Sequence, residues 1–284
     1  MAEVQRIGVV GLGAMGAGIA QLALEAGLDT VGREVEPERA EAARARIGHF
    51  LTRKVEKGRL DRTARDEAMA RLRLTTDVAD LADCDVVIEA AFEDLAVKHA
   101  LFRELEAVVR PDAILATNTS ALSVTDVASV LEHPERVVGM HFFNPAPLMP
   151  VVEVVRAERT SDDAFDTAFA LGTALGKTPI RCSDTPGFVV NRVLIPLLND
   201  CVRVLDEAGV TPADLDAGLT GGAGWPMGPC TLLDLVGADV HVHASEALYE
   251  KLREPRMAPP PRLVRMLQAG KLGRKTGEGF YRYD

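Results

Sequence analysis

The sequence predicts an α/β chain in which a doubly wound sheet is followed by an all-α C-terminal part. Three observations carry the prediction. Short β-branched runs alternate with longer helical patterns through residues 6–181, a glycine-rich turn joins the first strand to the first helix, and only helical patterning follows Thr185-Pro186-Gly187. Alternation of this kind implies parallel strands linked by helical crossovers, a Rossmann-like arrangement.

The elements follow in order. Residues 6–10 read as a strand and 14–26 as a helix stopped by Gly27. A second strand spans 30–33, and a polar amphipathic helix opens near Pro37. Residues 85–89, 113–117 and 137–141 are three further buried strands, preceded by helical sequence such as 95–108. Strands at 151–155 and 178–181 flank a helix at 163–175. Residues 190–208 form a long apolar helix with Leu194, Leu197, Cys201 and Leu205 on one stripe. With Val193, Leu198 and Val202 beside it, the apolar face is too wide for a surface helix, so it is enclosed or meets another subunit. Pro255–Pro261 reads as an exposed loop. The expected division is a dinucleotide-binding domain at 1–184 and an all-α domain at 185–284.

Composition narrows the function. Of 284 residues, 47% are hydrophobic and 26% charged, which excludes a collagen, a coiled-coil rod and a disordered tail. The net charge of −10 speaks against nucleic acid as a partner and makes any anionic ligand depend on a local basic patch. Cys84, Cys182, Cys201 and Cys230 form no CxxC pair, so buried free thiols in a reducing cytoplasm are expected rather than zinc or disulfides. No secretory signal precedes the first strand, and no apolar run approaches the roughly 18 residues of a membrane helix. A soluble cytoplasmic chain with no membrane partner is expected.

The glycine turn is Gly11-Leu12-Gly13-Ala14-Met15-Gly16. Gly11 permits the tight turn, Gly13 leaves room for a pyrophosphate, and Gly16 lets helix and strand pack closely. The helix that follows offers unpaired N–H groups to phosphate. Glu34 lies about 20 positions on, where an acid accepts the ribose hydroxyls of NAD. Arg33 beside it could instead serve a 2′-phosphate; NAD is the expected cofactor. Two motifs are decoys. Gly176-Lys177-Thr178 ends like a phosphate-binding P-loop, but Leu171 stands where its first glycine should, and the segment closes a helix instead of opening one. Asn118-Thr119-Ser120 matches a glycosylation sequon in a chain expected to stay inside the cell.

Alcohol oxidation needs a base that takes the hydroxyl proton as hydride leaves, and a carboxylate-held histidine suits that task near neutral pH. His141 closes a buried strand at the carboxyl end, where α/β sheets bind ligands. Glu153 lies inside the apolar run Val151-Val152-Glu153-Val154-Val155, where a carboxylate is costly without a partner. The imidazole of His141 is one such partner. A histidine bonded to backbone, with Glu153 on a solvated edge, is the alternative. His49, His99 and His133 fall in polar settings. His241 and His243 sit in helical sequence without a third ligand, and no metal site is expected.

These residues stand in longer blocks: GLGAMGAGIAQ at 11–21, DVVIEAAFEDLAVKHALF at 85–102, ATNTSALSVTDVA at 116–128 and GMHFFNPAPLMPVVEVV at 139–155. DTPGFVVNRVLIPLLND at 184–200, PMGPCTLLDLVGAD at 226–239 and KLGRKTGEGFYRY at 271–283 complete them. Over essentially its whole length the chain resembles the L-3-hydroxyacyl-CoA dehydrogenases, particularly their short 3-hydroxybutyryl-CoA members. The resemblance implies that His141 is the catalytic base and Glu153 the carboxylate orienting it. It implies that Ser120 bonds the substrate's C3 oxygen and that Asn191 steadies substrate and histidine. Glu93 and Lys98 match residues on the nicotinamide side of the cofactor pocket, although an exposed helical pair is the plain alternative. Met15 and Asn118 join the expected cofactor contacts. Arg53 and Lys57 share a helix face and align with basic positions that hold the CoA nucleotide, against the alternative of a solvated face paired with Glu56. The all-α part is expected to close over the acyl chain and to form a homodimer.

The expected activity is NAD-dependent interconversion of a (3S)-3-hydroxyacyl-CoA, 3-hydroxybutyryl-CoA foremost, and its 3-oxoacyl-CoA. Two rivals remain: a dehydrogenase of carrier-protein-bound or free hydroxy acids, and a non-catalytic NAD-binding or structural protein on the same fold.

Overall fold

The computed structural model describes residues 4–283. Two compact units divide the chain, Met1–Thr185 and Pro186–Asp284.

The first unit opens with β1 (Arg6–Val10), α1 (Ala14–Glu25), β2 (Asp29–Arg33), α2 (Pro37–Glu56), α3 (Arg62–Ala70), β3 (Leu72–Thr75), β4 (Val86–Glu89) and α4 (Leu95–Val108). It continues with β5 (Ile114–Thr117), α5 (Val124–Ala128), β6 (Val137–Phe142), β7 (Val151–Arg156), α6 (Asp162–Ala174) and β8 (Thr178–Ser183). Helix starts are written in the sequence. Asp61, Asp94, Ser123 and Ser161 each accept a backbone N–H from the first turn of the helix they open.

The eight strands form one sheet in the order β3-β2-β1-β4-β5-β6-β7-β8. The inner strands are apolar on both faces because helices cover both sides. Ile7, Val9, Val86, Ile88, Val138 and Val154, all buried, join Ile19 of α1 and Ile47 of α2 in one core cluster.

The doubly wound reading holds, with corrections. The strand at 151–156 runs antiparallel to β6, not parallel, with His141 opposite Glu153 and Gly139 opposite Val155. Residues 143–150 contain no helix, and parallel neighbours need a crossover that this short link does not supply. Helix α3 and strand β3 were not expected; β3 lies at the sheet edge, where Arg73 and Thr75 interrupt the apolar pattern.

The second unit contains α7 (Val190–Ala208), α8 (Pro212–Ala217), α9 (Pro229–Val236), α10 (Ala238–Leu252) and α11 (Pro261–Gln268), and no strand among its described residues. Leu198 and Val202 of α7 pack with Leu233, Val242 and Leu263, while Val193 of the same helix is 63% exposed. The segment Pro255–Pro261 is not a free loop. Met257 is buried, and Asn199 Nδ2 donates to the carbonyls of Arg256 and Met257, both at 3.2 Å. Two carboxylates stitch the C-terminus to the helices. Asp216 accepts from Cys230 N, Thr231 N and Tyr281 Oη, and Asp234 from Phe280 N, Tyr281 N and Tyr283 Oη.

Candidate active site

The glycine turn has the form a dinucleotide needs. Gly11 has φ +84°, and a side chain there would run into the Ala90 carbonyl. At Gly16 it would strike the Gly11 carbonyl, whereas at Gly13 it would meet nothing within 4 Å. Two glycines are thus closed against protein and the middle one faces open space. No side chain caps α1, leaving first-turn N–H groups for an anion. Met15 is half-buried in that first turn. Glu34 follows β2 and accepts Leu12 N at 2.7 Å through Oε1 and Val35 N at 3.1 Å through Oε2. The bond to Leu12 holds the carboxylate against the turn, and a carboxylate's remaining lone pairs suit ribose hydroxyls. These residues fit NAD.

Beyond β4 lies a cluster of charges. Lys98 on α4 is 1% exposed and donates to Glu89 Oε1 at 2.6 Å, with Glu93 Oε2 at 3.2 Å. This corrects the alternative of an exposed helical pair: Glu93 precedes α4, and Lys98 is buried. Glu93 also accepts from the Thr119 hydroxyl and, at 3.2 Å, from Ser120 N. Burial raises the Glu93 carboxyl, but the Lys98 charge and these bonds outweigh it and leave it below the usual range. Glu89, fully buried at the end of β4, was missed from sequence. An acid closing an apolar strand is the signal that could have found it. Asn118, just past β5, accepts Phe142 N at 2.9 Å through Oδ1 and so ties the ends of β5 and β6.

His141 and Glu153 meet across the antiparallel β6–β7 pair, Nδ1 to Oε2 at 2.6 Å. Glu153 is fully buried and His141 is 6% exposed, so Glu153 is not on a solvated edge. The Phe143 ring lies 4.7 Å from the imidazole, centroid to centroid. Cys182 of β8 places its thiol 3.9 Å from Glu153 Oε1, and burial together with that carboxylate pushes the thiol up to about 12. Ser120 is exposed in the loop after β5. Asn191 belongs to the second unit, as the second residue of α7.

A cavity of about 650 Å³ lies in the first unit beside the glycine turn. Gly13, Ala14 and Gly18 line one part, Asn144, Pro145, Pro147 and Leu148 another. Arg53 and Lys57 line it with Arg46, Lys54 and Arg59, so five cations converge on one space in an acidic chain. Lys57 stands just past α2 as its C-cap. Lys54 also pairs with Glu25 at 2.5 Å. Phe50 and Ile47 add apolar wall. Among the described residues, no three or more His, Cys, Asp or Glu converge as a metal site. The four cysteines are free and buried.

A mostly parallel sheet with an open glycine turn at its first crossover and an acid-backed imidazole at its carboxyl edge is the architecture of a pyridine-nucleotide oxidoreductase. The model of the 3-hydroxyacyl-CoA dehydrogenase NAD binding domain matches residues 6–185, and that of the 3-hydroxyacyl-CoA dehydrogenase C-terminal domain matches residues 187–283. The chain belongs to the 3-hydroxyacyl-CoA dehydrogenase family. A 3-hydroxybutyryl-CoA dehydrogenase of Mycobacterium tuberculosis is 44% identical over 282 residues, 99% of both chains. The crystal structure of M. tuberculosis FadB2 superposes with a TM-score of 0.96 at 44% identity, covering 100% of both chains. That of (S)-3-hydroxybutyryl-CoA dehydrogenase PaaH1 from Ralstonia eutropha gives 0.96 at 38% identity, covering 99% of this chain and 100% of the other.

Proposed function

We propose that the protein is an NAD-dependent dehydrogenase that interconverts (3S)-3-hydroxyacyl-CoA and 3-oxoacyl-CoA, with 3-hydroxybutyryl-CoA as its main substrate. The observation that carries the reading is the 2.6 Å contact between His141 Nδ1 and Glu153 Oε2 at the sheet's carboxyl edge. NAD, when bound, supplies the hydride acceptor. Because Nδ1 is committed to Glu153, proton exchange with the substrate hydroxyl falls to Nε2. The buried carboxylate then stabilises the imidazolium and fixes the ring's orientation. Ser120 donates to the C3 oxygen, and Asn191 is a further hydrogen-bond partner of substrate; neither competes for the proton. Gly11, Gly13, Met15, Gly16, Glu34, Glu93, Lys98 and Asn118 hold the cofactor.

The CoA nucleotide occupies the basic cavity, with Arg53 and Lys57 on its phosphates. The exposed Val193 and Val240 support association of the second unit with a second copy. Four buried free thiols suit a cytoplasmic location.

The test is NADH oxidation with acetoacetyl-CoA, with NADPH, a carrier-bound thioester and free acetoacetate in parallel. Turnover restricted to NADH and the CoA thioester is expected. His141→Ala should abolish it while NADH binding, followed by fluorescence, survives. A wild-type protein that binds NADH but turns over none of these substrates overturns the reading.

A further inference from the structure

The link between β6 and β7 is poor in hydrogen-bond donors by sequence. Residues 144–150 read Asn-Pro-Ala-Pro-Leu-Met-Pro, and the three prolines carry no N–H. Leu148 N and Met149 N are both spent on the Pro145 carbonyl, at 2.9 and 3.1 Å. The carbonyls of Ala146 and Met149 turn to a side chain: Lys177 Nζ donates to them at 2.7 and 2.9 Å. Lys177 lies between α6 and β8, in the segment whose spelling mimics a P-loop. Gly176 before it ends the helix in the left-handed conformation.

Lys177 is only 8% exposed. Burial draws its ammonium below the ordinary lysine range, with nearby Lys54 acting the same way and Glu25 opposing. A charge held at such a cost signals a requirement that an apolar side chain of equal length would not meet. Two converging carbonyls are that requirement.

The clipped segment is a wall of the basic cavity, through Asn144, Pro145, Pro147 and Leu148, and it begins just after His141. On its other side α1 presents Gly18, where a side chain would stand 3.0 Å from Pro147 and 3.2 Å from Ala146. The loop is therefore seated against a bare stretch of helix and fastened from behind by one ammonium.

We propose that Lys177 is a positioning residue: by bonding the Ala146 and Met149 carbonyls it sets the wall of the basic cavity, and with it the affinity for the nucleotide end of the CoA substrate. The residue acts on an anion site without touching the anion. The kinetic half of this inference rests on the proposed placement of the CoA nucleotide in that cavity.

The full-length protein is compared with Lys177→Met and Lys177→Arg. Hydrogen exchange is followed at the amides of Asn144, Ala146, Leu148 and Met149. KM and kcat are measured with acetoacetyl-CoA, with acetoacetyl-pantetheine, which lacks the nucleotide, and with NADH. Lys177→Met should speed exchange in the loop alone and raise KM for acetoacetyl-CoA about tenfold, with kcat and the other KM values changed by less than about threefold. Lys177→Arg, which keeps donors, should recover part of both effects. Unchanged loop exchange overturns the inference. So does unchanged KM for acetoacetyl-CoA, or a general loosening that lowers kcat on both thioesters alike. If the wild type uses both thioesters equally well, the nucleotide placement falls, and loop exchange alone decides whether Lys177 is the clip.

Discussion

Glu89 and Lys98 form an ion pair at 2.6 Å with neither side chain more than 1% exposed. Glu89 is fully committed: Ala91 N and the Thr117 hydroxyl, each at 2.7 Å, complete its bonds. Glu89→Gln should therefore leave a buried ammonium undercompensated and cost about 3–5 kcal/mol. The double variant Glu89→Gln, Lys98→Met should recover much of that loss. Urea unfolding of the wild type and the two variants checks it, and equal losses for single and double would contradict it.

Replacing Glu153 by Gln keeps the size of the side chain and removes the charge facing the imidazole. Turnover should fall by about two to four orders of magnitude, with KM values nearly unchanged. Steady-state kinetics on both substrates measures this. A loss below tenfold would mean that Glu153 does not stabilise the imidazolium.

Glu34 both braces the turn through Leu12 N and presents negative charge where a 2′-phosphate would lie. Glu34→Ser should raise KM for NADH about tenfold or more and narrow the preference against NADPH. Parallel NADH and NADPH saturation curves decide it.

Arg53 and Lys57 point charge into the shared cavity. Arg53→Met and Lys57→Met should each raise KM for acetoacetyl-CoA by about three- to tenfold while leaving KM for NADH in place. KM for acetoacetyl-CoA in the wild type should also climb between low and physiological salt. A salt-independent KM would place the nucleotide elsewhere.

His241 is buried in the second unit, its Nε2 donating to Asn199 Oδ1 at 2.9 Å, and burial lowers its pKa to about 4. The unfolded chain binds this proton near pH 6.5 and the folded chain does not, so stability is complete above 6.5 and declines as pH falls toward 4. Over that window the loss approaches roughly 3 kcal/mol. Urea midpoints at pH 7 and pH 5 should differ for the wild type, and His241→Gln should flatten the difference.

What could be read in advance depended on how local the signal was. Glu153 stood out because an acid inside an apolar run needs a partner, and the glycine turn because three small residues each meet a distinct steric demand. Glu89 carries the same signal as Glu153 in weaker form, since an acid at the end of a strand can as easily be solvated. The direction of β7 is not legible in its apolar periodicity, which carries no direction; only the lack of helical sequence between residues 142 and 151 encodes it. Lys177 reads in sequence only as a helix end, because its partners are backbone carbonyls of a distant loop and leave no trace in side-chain patterning. Strand β3 was lost because an edge strand need be apolar on neither face.

The bonds from Phe280, Tyr281 and Tyr283 to Asp216 and Asp234 bear on how the molecule ages. Cleavage that removes residues 280–283 would strip two interior anions of phenol and amide donors at once. Damage there would spread into the helical bundle instead of merely shortening a tail, so trimmed molecules should vanish from a preparation, not accumulate.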